Sequence, residues 1–141
     1  MSKLIDIDYN LSKVEAKSIN PQVLAFIGDS VYALYMKTYV VHTYAGKSNS
    51  LNTLSNNLVK ATKQSDVIDR LIEIFSEDEL AVYKRARNYK TNNTAKNASI
   101  AEYHRATGLE AVIGYLYLID DIDRLNEILR LCIGDNNEDR R

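Results

Sequence analysis

A chain of 141 residues with 45% hydrophobic and 26% charged residues has the size of one globular domain able to bury a core of its own. Its single cysteine, Cys132, excludes an internal disulfide framework and a zinc cluster, and points to a reducing compartment. The net charge of −1, from 18 Lys and Arg against 19 Asp and Glu, argues as a bare sum against a nucleic-acid partner.

Along the chain, Met1 to Asp6 carries acid where a signal peptide needs an apolar stretch, and no apolar run approaches the ~18 residues that span a bilayer. A cytoplasmic protein without a membrane partner is expected, with residues 1–19 as an N-terminal extension. One proline and five glycines leave few breakers, so the chain should be mostly helix. Asn20 reads as an N-cap and Pro21 as the first helical residue, opening a long helix to about Val41 with Val23, Leu24, Ile27, Val31, Leu34 and Tyr35 as its apolar stripe. Asp29 falls nearly opposite that stripe, where a solvated aspartate is the ordinary reading. Its neighbour Gly28 costs about 1 kcal/mol relative to alanine in a helix and asks for a reason, such as close approach of another backbone.

A loop from Gly46 to Ser50 leads to a helix bearing Leu51, Leu54, Leu58 and Val59. Ser65 caps a further helix with Ile68, Leu71, Ile72 and Phe75 inward, and Ser76 to Glu79 fits a capping box that starts a helix with Leu80, Val82 and Tyr83. From Asn88 to Ala98 there is no period and no aliphatic larger than alanine, which predicts an exposed loop. Ser99 to Glu102 is a second capping box, opening a helix to about Ile119. Ile122, Leu125, Ile128, Leu129 and Cys132 form the last helix, and residues 135–141 read as a polar tail. Six helices with short connections argue an all-α bundle over residues 20–134.

Within the penultimate helix, Glu110 sits on the edge of the stripe made by Leu109, Ile113, Leu116 and Tyr117. A carboxylate leaning into an apolar face must be ion-paired, for instance with Arg105 or Lys37, or protonated, or bound to a cation. Gly108 and Gly114 bracket the segment and suggest closely packed helices. The charge is also segregated. Lys84, Arg85, Arg87, Lys90, Lys96 and Arg105, with His104, face a single acid, Glu102, whereas seven acids against four arginines follow from Asp120 onward, so the whole-chain sum conceals a cationic stretch. Tyr32, Tyr35, Tyr39, Tyr115 and Tyr117 lie at helical spacings that suit a core or a subunit interface better than base stacking. His42 and His104 lack a partner nucleophile in any recognisable elbow.

Two segments, Phe26-Ile27-Gly28-Asp29-Ser30-Val31 and Leu109-Glu110-Ala111-Val112-Ile113-Gly114-Tyr115-Leu116-Tyr117-Leu118, resemble the signature helix and the catalytic-glutamate helix of ribonuclease III enzymes. The stretches Lys84-Arg85-Ala86-Arg87-Asn88, Lys96-Asn97 and His104-Arg105-Ala106-Thr107-Gly108 are similar to the compact branch of that family, Mini-ribonuclease III. The resemblance runs from about Asn20 to Gly134. It implies a homodimeric, all-helical, ribonuclease III-like bundle that cuts double-stranded RNA with magnesium, acting in this branch on the precursor of large-subunit (23S) ribosomal RNA, with a large-subunit ribosomal protein as a further partner it admits. By motif position Asp29 and Glu110 would be the catalytic and metal-binding carboxylates.

The larger enzymes have further carboxylates where this chain has Gln22, Ala25 and Thr107, so one magnesium, largely coordinated by water, is the expectation. They also carry a separate double-stranded-RNA-binding domain, for which 141 residues leave no room. Lys84, Arg85, Arg87, Asn88, Lys90, Lys96, Asn97, His104 and Arg105 would then contact RNA phosphates and 2′-hydroxyls, and Lys63 is a further candidate for the scissile phosphate. The competing reading is a catalytically silent relative that binds structured RNA as a scaffold.

Overall fold

The computed structural model describes residues 5, 8–44, 51–64, 66–89 and 100–134. Seven α-helices and no strand lie among them: α1 (Lys13–Lys17), α2 (Pro21–Thr43), α3 (Leu51–Gln64), α4 (Val67–Ile74), α5 (Glu77–Arg87), α6 (Ile100–Leu118) and α7 (Ile122–Cys132). The expected all-α bundle is therefore observed, with one helix more than the periodicity predicted.

Helix starts follow side chains that satisfy the first unpaired amides. Asn20 Oδ1 accepts from the Gln22 amide at 2.8 Å, with Pro21 at the first helical position. Ser76 and Glu79 form the predicted capping box, each side chain accepting from the other's amide at 3.1 and 2.8 Å. The unforeseen helix, α1, has the same device in Ser12 and Glu15, but five residues offer no period from which to read a helix. It buries Ala16 completely, and the Leu11 amide bonds the Leu118 carbonyl at 2.8 Å, so this part of the N-terminal segment rests on the end of α6. The expected cap Ser65, the Gly46–Ser50 loop, the Ser99 capping box, the stretch 90–98 and the tail after Gly134 lie outside the described residues.

α6 is the axis of the bundle. Every residue from Gly108 to Leu116 is buried except Glu110, which is half-buried. The expected single stripe on this helix is thus replaced by burial all round, because α2 and α5 pack on it from different sides and a helix apolar on every face belongs inside. α2 runs antiparallel to α6 and makes the most extensive helix pair in the structure. Its buried face is Pro21, Leu24, Ala25, Gly28, Val31, Tyr32, Met36 and Val40.

That face corrects the predicted stripe, since Val23 and Leu34 are 51% and 48% exposed. The physical reason is Gly28: the position with no side chain faces α6, and the contact is between backbones, which hydrophobicity alone cannot reveal. Relative to the true face Asp29 is not opposite. At about 100° per residue it lies about 40° from Ala25 and 60° from Tyr32, on the shoulder of the α2–α6 seam.

α6 turns into α7 by a tight reversal. The Asp121 amide bonds Leu116 O at 3.0 Å and the Asp120 amide bonds Tyr117 O at 3.1 Å, with Asp120 at a positive φ of 63°. This is a Schellman closure in which aspartate takes the left-handed position glycine usually fills. Beside it Glu79, 3% exposed, receives both Arg124 Nε and Arg124 Nη2 at 2.8 Å, and Arg124 also donates to the Ile74 carbonyl at 2.8 Å and to Glu127 at 2.9 Å. One arginine thereby ties α4, α5 and α7 together.

Candidate active site

The helices that carry the two carboxylates singled out by the sequence, α2 and α6, cross at Gly28. A Cβ placed on Gly28 would lie 1.7 Å from the Glu110 carbonyl oxygen and 2.8 Å from the Gly114 amide nitrogen, and one on Gly114 would lie 2.0 Å from the Leu24 carbonyl oxygen. No side chain fits in either place. The two helices therefore touch main chain to main chain, with residue 28 over residue 110, and this brings Asp29 on the exposed shoulder of α2 to the level of Glu110 on α6. The close backbone approach that Gly28 and Gly114 led one to expect is thus between these two helices.

Positions that carry acids in the larger enzymes contribute nothing comparable. Gln22 is exposed, Ala25 is buried, and the Thr107 hydroxyl donates to Tyr103 O of its own helix at 2.9 Å. Among the described residues no group of three or more His, Cys, Asp or Glu is gathered in metal-binding range. Of the ion-pair partners considered for Glu110, Arg105 Nη2 is bonded to Asp69 at 2.8 Å, and Lys37 is exposed.

Behind the crossing lies a buried hydroxyl chain that spacing could not have revealed, because its members come from three helices. Tyr32, one turn beyond Gly28 on the same face, is fully buried, and its hydroxyl bonds Thr62 Oγ1. Thr62 in turn donates to the Val59 carbonyl at 3.0 Å, which uses its single proton and leaves Tyr32 as donor to Thr62. The Cys132 thiol of α7 bonds the same Tyr32 hydroxyl. Burial pushes the Tyr32 phenol well above its ordinary range, with charge at Cys132 and then at Glu110 adding to the effect and the Thr62 bond opposing it. Burial also pushes the Cys132 thiol up to about 12, against the bond from Tyr32. Both groups are neutral near pH 7, and Glu110 is near enough for its charge to be felt at the phenol.

The cationic residues separate by what holds them. Arg85 donates to the Lys17 carbonyl and, at 3.0 Å, to the Ile19 carbonyl, fastening the N-terminal segment to α5. The Arg87 guanidinium stacks over the Tyr83 ring, 5.4 Å from its centroid, and bonds Asn88 Oδ1 at 3.2 Å. His104 is half-buried, with Tyr103 edge-on at 5.5 Å. Lys84 and Asn88 are exposed and, with Pro21, Ala81, Arg85 and Tyr89, line an open cleft of about 580 Å³ at the foot of α2. Lys63 lies in α3 with its side chain outside the described residues, as are Lys90, Lys96 and Asn97. Opposite the α6 seam, α2 turns Val23, Phe26, Leu34 and Val41 to the surface, Phe26 at 76% exposure. No helix among the described residues is long and apolar enough to cross a membrane.

Comparison with known proteins was made against this geometry. A family model described as the ribonuclease III domain matches residues 22–121, a span that holds both glycines of the crossing and both carboxylates. The chain is 45% identical over 124 residues to the Mini-ribonuclease 3 of Clostridium tetani, covering 87% of this chain and 82% of that one. It is 41% identical to the Mini-ribonuclease 3 of a Thermoanaerobacter species, covering 87% of each. A crystal structure of a protein from Fusobacterium nucleatum superposes with a TM-score of 0.72 at 25% identity, covering 88% of this chain and 98% of that one.

Proposed function

The chain belongs to the ribonuclease III family, with the Mini-ribonuclease 3 proteins as its relatives, and is an endoribonuclease; from that premise we propose that it cleaves double-stranded RNA with magnesium held by Asp29 and Glu110, as a cytoplasmic homodimer that matures the ends of 23S ribosomal RNA. The observation that carries the reading is the backbone contact of Gly28 with Glu110, because it fixes the helices bearing the two carboxylates at their closest approach.

The donor set suits the ion. Two carboxylates with neither sulfur nor imidazole make a hard site, and magnesium retains several waters where the protein offers few ligands. When bound, magnesium supplies the positive charge that phosphodiester hydrolysis demands on the phosphoryl and leaving oxygens. The protein's share is positional: Glu110 projects from the buried axis helix, Asp29 from the exposed shoulder, and between them they orient the attacking water toward a phosphate approaching from solvent.

Duplex RNA is held by phosphates and 2′-hydroxyls rather than by base edges. Lys84, Arg87 and Asn88, at the cleft or next to it, supply charge and amide for that purpose, and His104 and Arg105 extend the cationic surface at the start of α6. Arg85 contributes charge while its donors hold the N-terminal segment, and Lys63, Lys90, Lys96 and Asn97 belong to the same contact set. The apolar stripe Val23, Phe26, Leu34 and Val41 supports the homodimer, since an apolar row along one exposed helix face suits an interface, and a two-fold axis would give each strand of a duplex its own site. A large-subunit ribosomal protein that shapes the precursor stem is the further partner proposed.

The test is incubation of the purified protein with a long RNA duplex and with a 23S precursor stem, in magnesium and then in EDTA. Metal-dependent cutting of both is expected, and Asp29→Asn or Glu110→Gln should retain the duplex without cutting it. Wild-type cleavage by either variant would overturn the assignment, and retention without cutting by the unaltered protein would make the chain an RNA-binding scaffold.

A further inference from the structure

The hydroxyl chain behind the crossing is unusual for its place. Because α2 and α6 are antiparallel with Gly28 over Glu110 and Gly114, Tyr32, four residues further along the same face of α2, packs toward the part of α6 that precedes Glu110. A helical side chain leans over the turn before its own residue, so the half-buried Glu110 inclines toward the same part of α6, and its charge is felt at the Tyr32 phenol. A phenylalanine would fill that space as well as a tyrosine, and burying a hydroxyl costs free energy unless it is bonded. This hydroxyl is bonded, giving its proton to Thr62, and Thr62 gives its own to the Val59 carbonyl at 3.0 Å. The bonds run in one direction from α2 into α3.

We infer that Tyr32 is a positioning residue for Glu110: its hydroxyl, anchored on Thr62 of α3, holds the ring still and so limits the half-buried carboxylate to one orientation. Tyr32 touches neither substrate nor reacting atoms, and it acts through Glu110. The inference rests on the reading of Asp29 and Glu110 as the catalytic pair. Its chemistry is economical, since removing the phenol leaves Thr62 still bonded to Val59, so the fold should tolerate the loss better than the site does.

The experiment compares Tyr32→Phe, Thr62→Val and their double variant with the unaltered protein, measuring kcat, KM and Tm on one duplex, with Asp29→Asn in the same assay. Each single variant should lower kcat on the order of tenfold, as small misplacement of a catalytic group does, with KM within about twofold. The double variant should lose no more than either alone, the mark of residues acting as a unit. Thr62→Ser, which keeps the hydroxyl, should regain the kcat that Thr62→Val loses. Ile128→Val, a core truncation on α7, sets the effect of destabilisation alone.

Wild-type kcat in Tyr32→Phe, additive losses in the double variant, or an equal kcat loss in Ile128→Val would each overturn the inference. Cleavage by Asp29→Asn at wild-type rate would instead overturn the catalytic reading on which it stands.

Discussion

Glu79 and Glu110 are both glutamates drawn into one bundle, and the chain treats them in opposite ways. Glu79, at the α4–α5–α7 junction, is almost wholly buried and takes two bonds from Arg124 and one from the Ser76 amide. Burial pushes its carboxyl up, but the Arg124 and Ser76 bonds outweigh that and hold it below the ordinary carboxylate range. Glu110, on the axis helix, keeps one side toward solvent in a run of otherwise buried residues, at the level of an exposed aspartate. A wholly buried carboxylate clamped by an arginine serves the fold, whereas a carboxylate that reaches water at a helix seam can also face solute. The same contrast divides the basic side chains, with Arg124 and Arg85 spent on carbonyls and a buried acid while Lys84 is exposed at the rim of a cleft.

The contrast is broken most severely at the seam. Asp29→Asn or Glu110→Gln should lower duplex cleavage by about a thousandfold, roughly 4 kcal/mol of transition-state stabilisation, with Tm and duplex retention little changed; steady-state cleavage beside a gel-shift titration reads both. Gly28→Ala comes next. Its methyl would occupy the place of the Glu110 carbonyl oxygen, so the helices must part, at about 3 kcal/mol of stability read by chemical denaturation, and cleavage falls although neither carboxylate has changed.

At the other junction Glu79→Gln should cost about 2 kcal/mol near pH 7 and leave kcat intact. A depressed carboxyl stabilises the fold above its unfolded pKa, about 4.3 for Glu, and that stabilisation is lost as pH falls through the lower folded value. The gap in Tm between variant and parent should therefore close on acidification below about pH 4, and a constant gap would show that the pair contributes no charge-linked stability. The smallest effect belongs to the exposed cation: Lys84→Gln should lower the salt slope of RNA binding by about one with Tm unchanged, whereas Arg85→Gln should lower Tm and reduce the slope by less. Equal slopes for both would erase the distinction drawn between them.

Much of this was legible in the sequence, for identifiable reasons. Asn20-Pro21 and the Ser76 capping box announce helix starts because capping is local chemistry, and Gly28 and Gly114 announce a close approach because glycine in a helix needs a cause. The face of α2 was misread because hydrophobic periodicity weights Val23 and Leu34 as core and gives Gly28 no weight, although Gly28 is where the helix is most tightly packed. α1 escaped because one helical turn and a half has no period. The roles of Arg85, Arg105 and Thr62 depend on partners between 30 and 68 residues away, and no spacing rule relates such distant positions.

The meeting of α2 and α6 through their main chains has a consequence for how such a protein can drift in sequence. Where helices are held apart by interlocking side chains, the gap between them changes whenever a leucine becomes a methionine or a valine an isoleucine. Here the gauge is set by peptide atoms that every residue shares, so the surrounding core can be rewritten piece by piece while Asp29 and Glu110 keep their separation. The freedom is underwritten by two positions, Gly28 and Gly114, where the smallest possible change, one methyl group, is the one that the architecture does not allow.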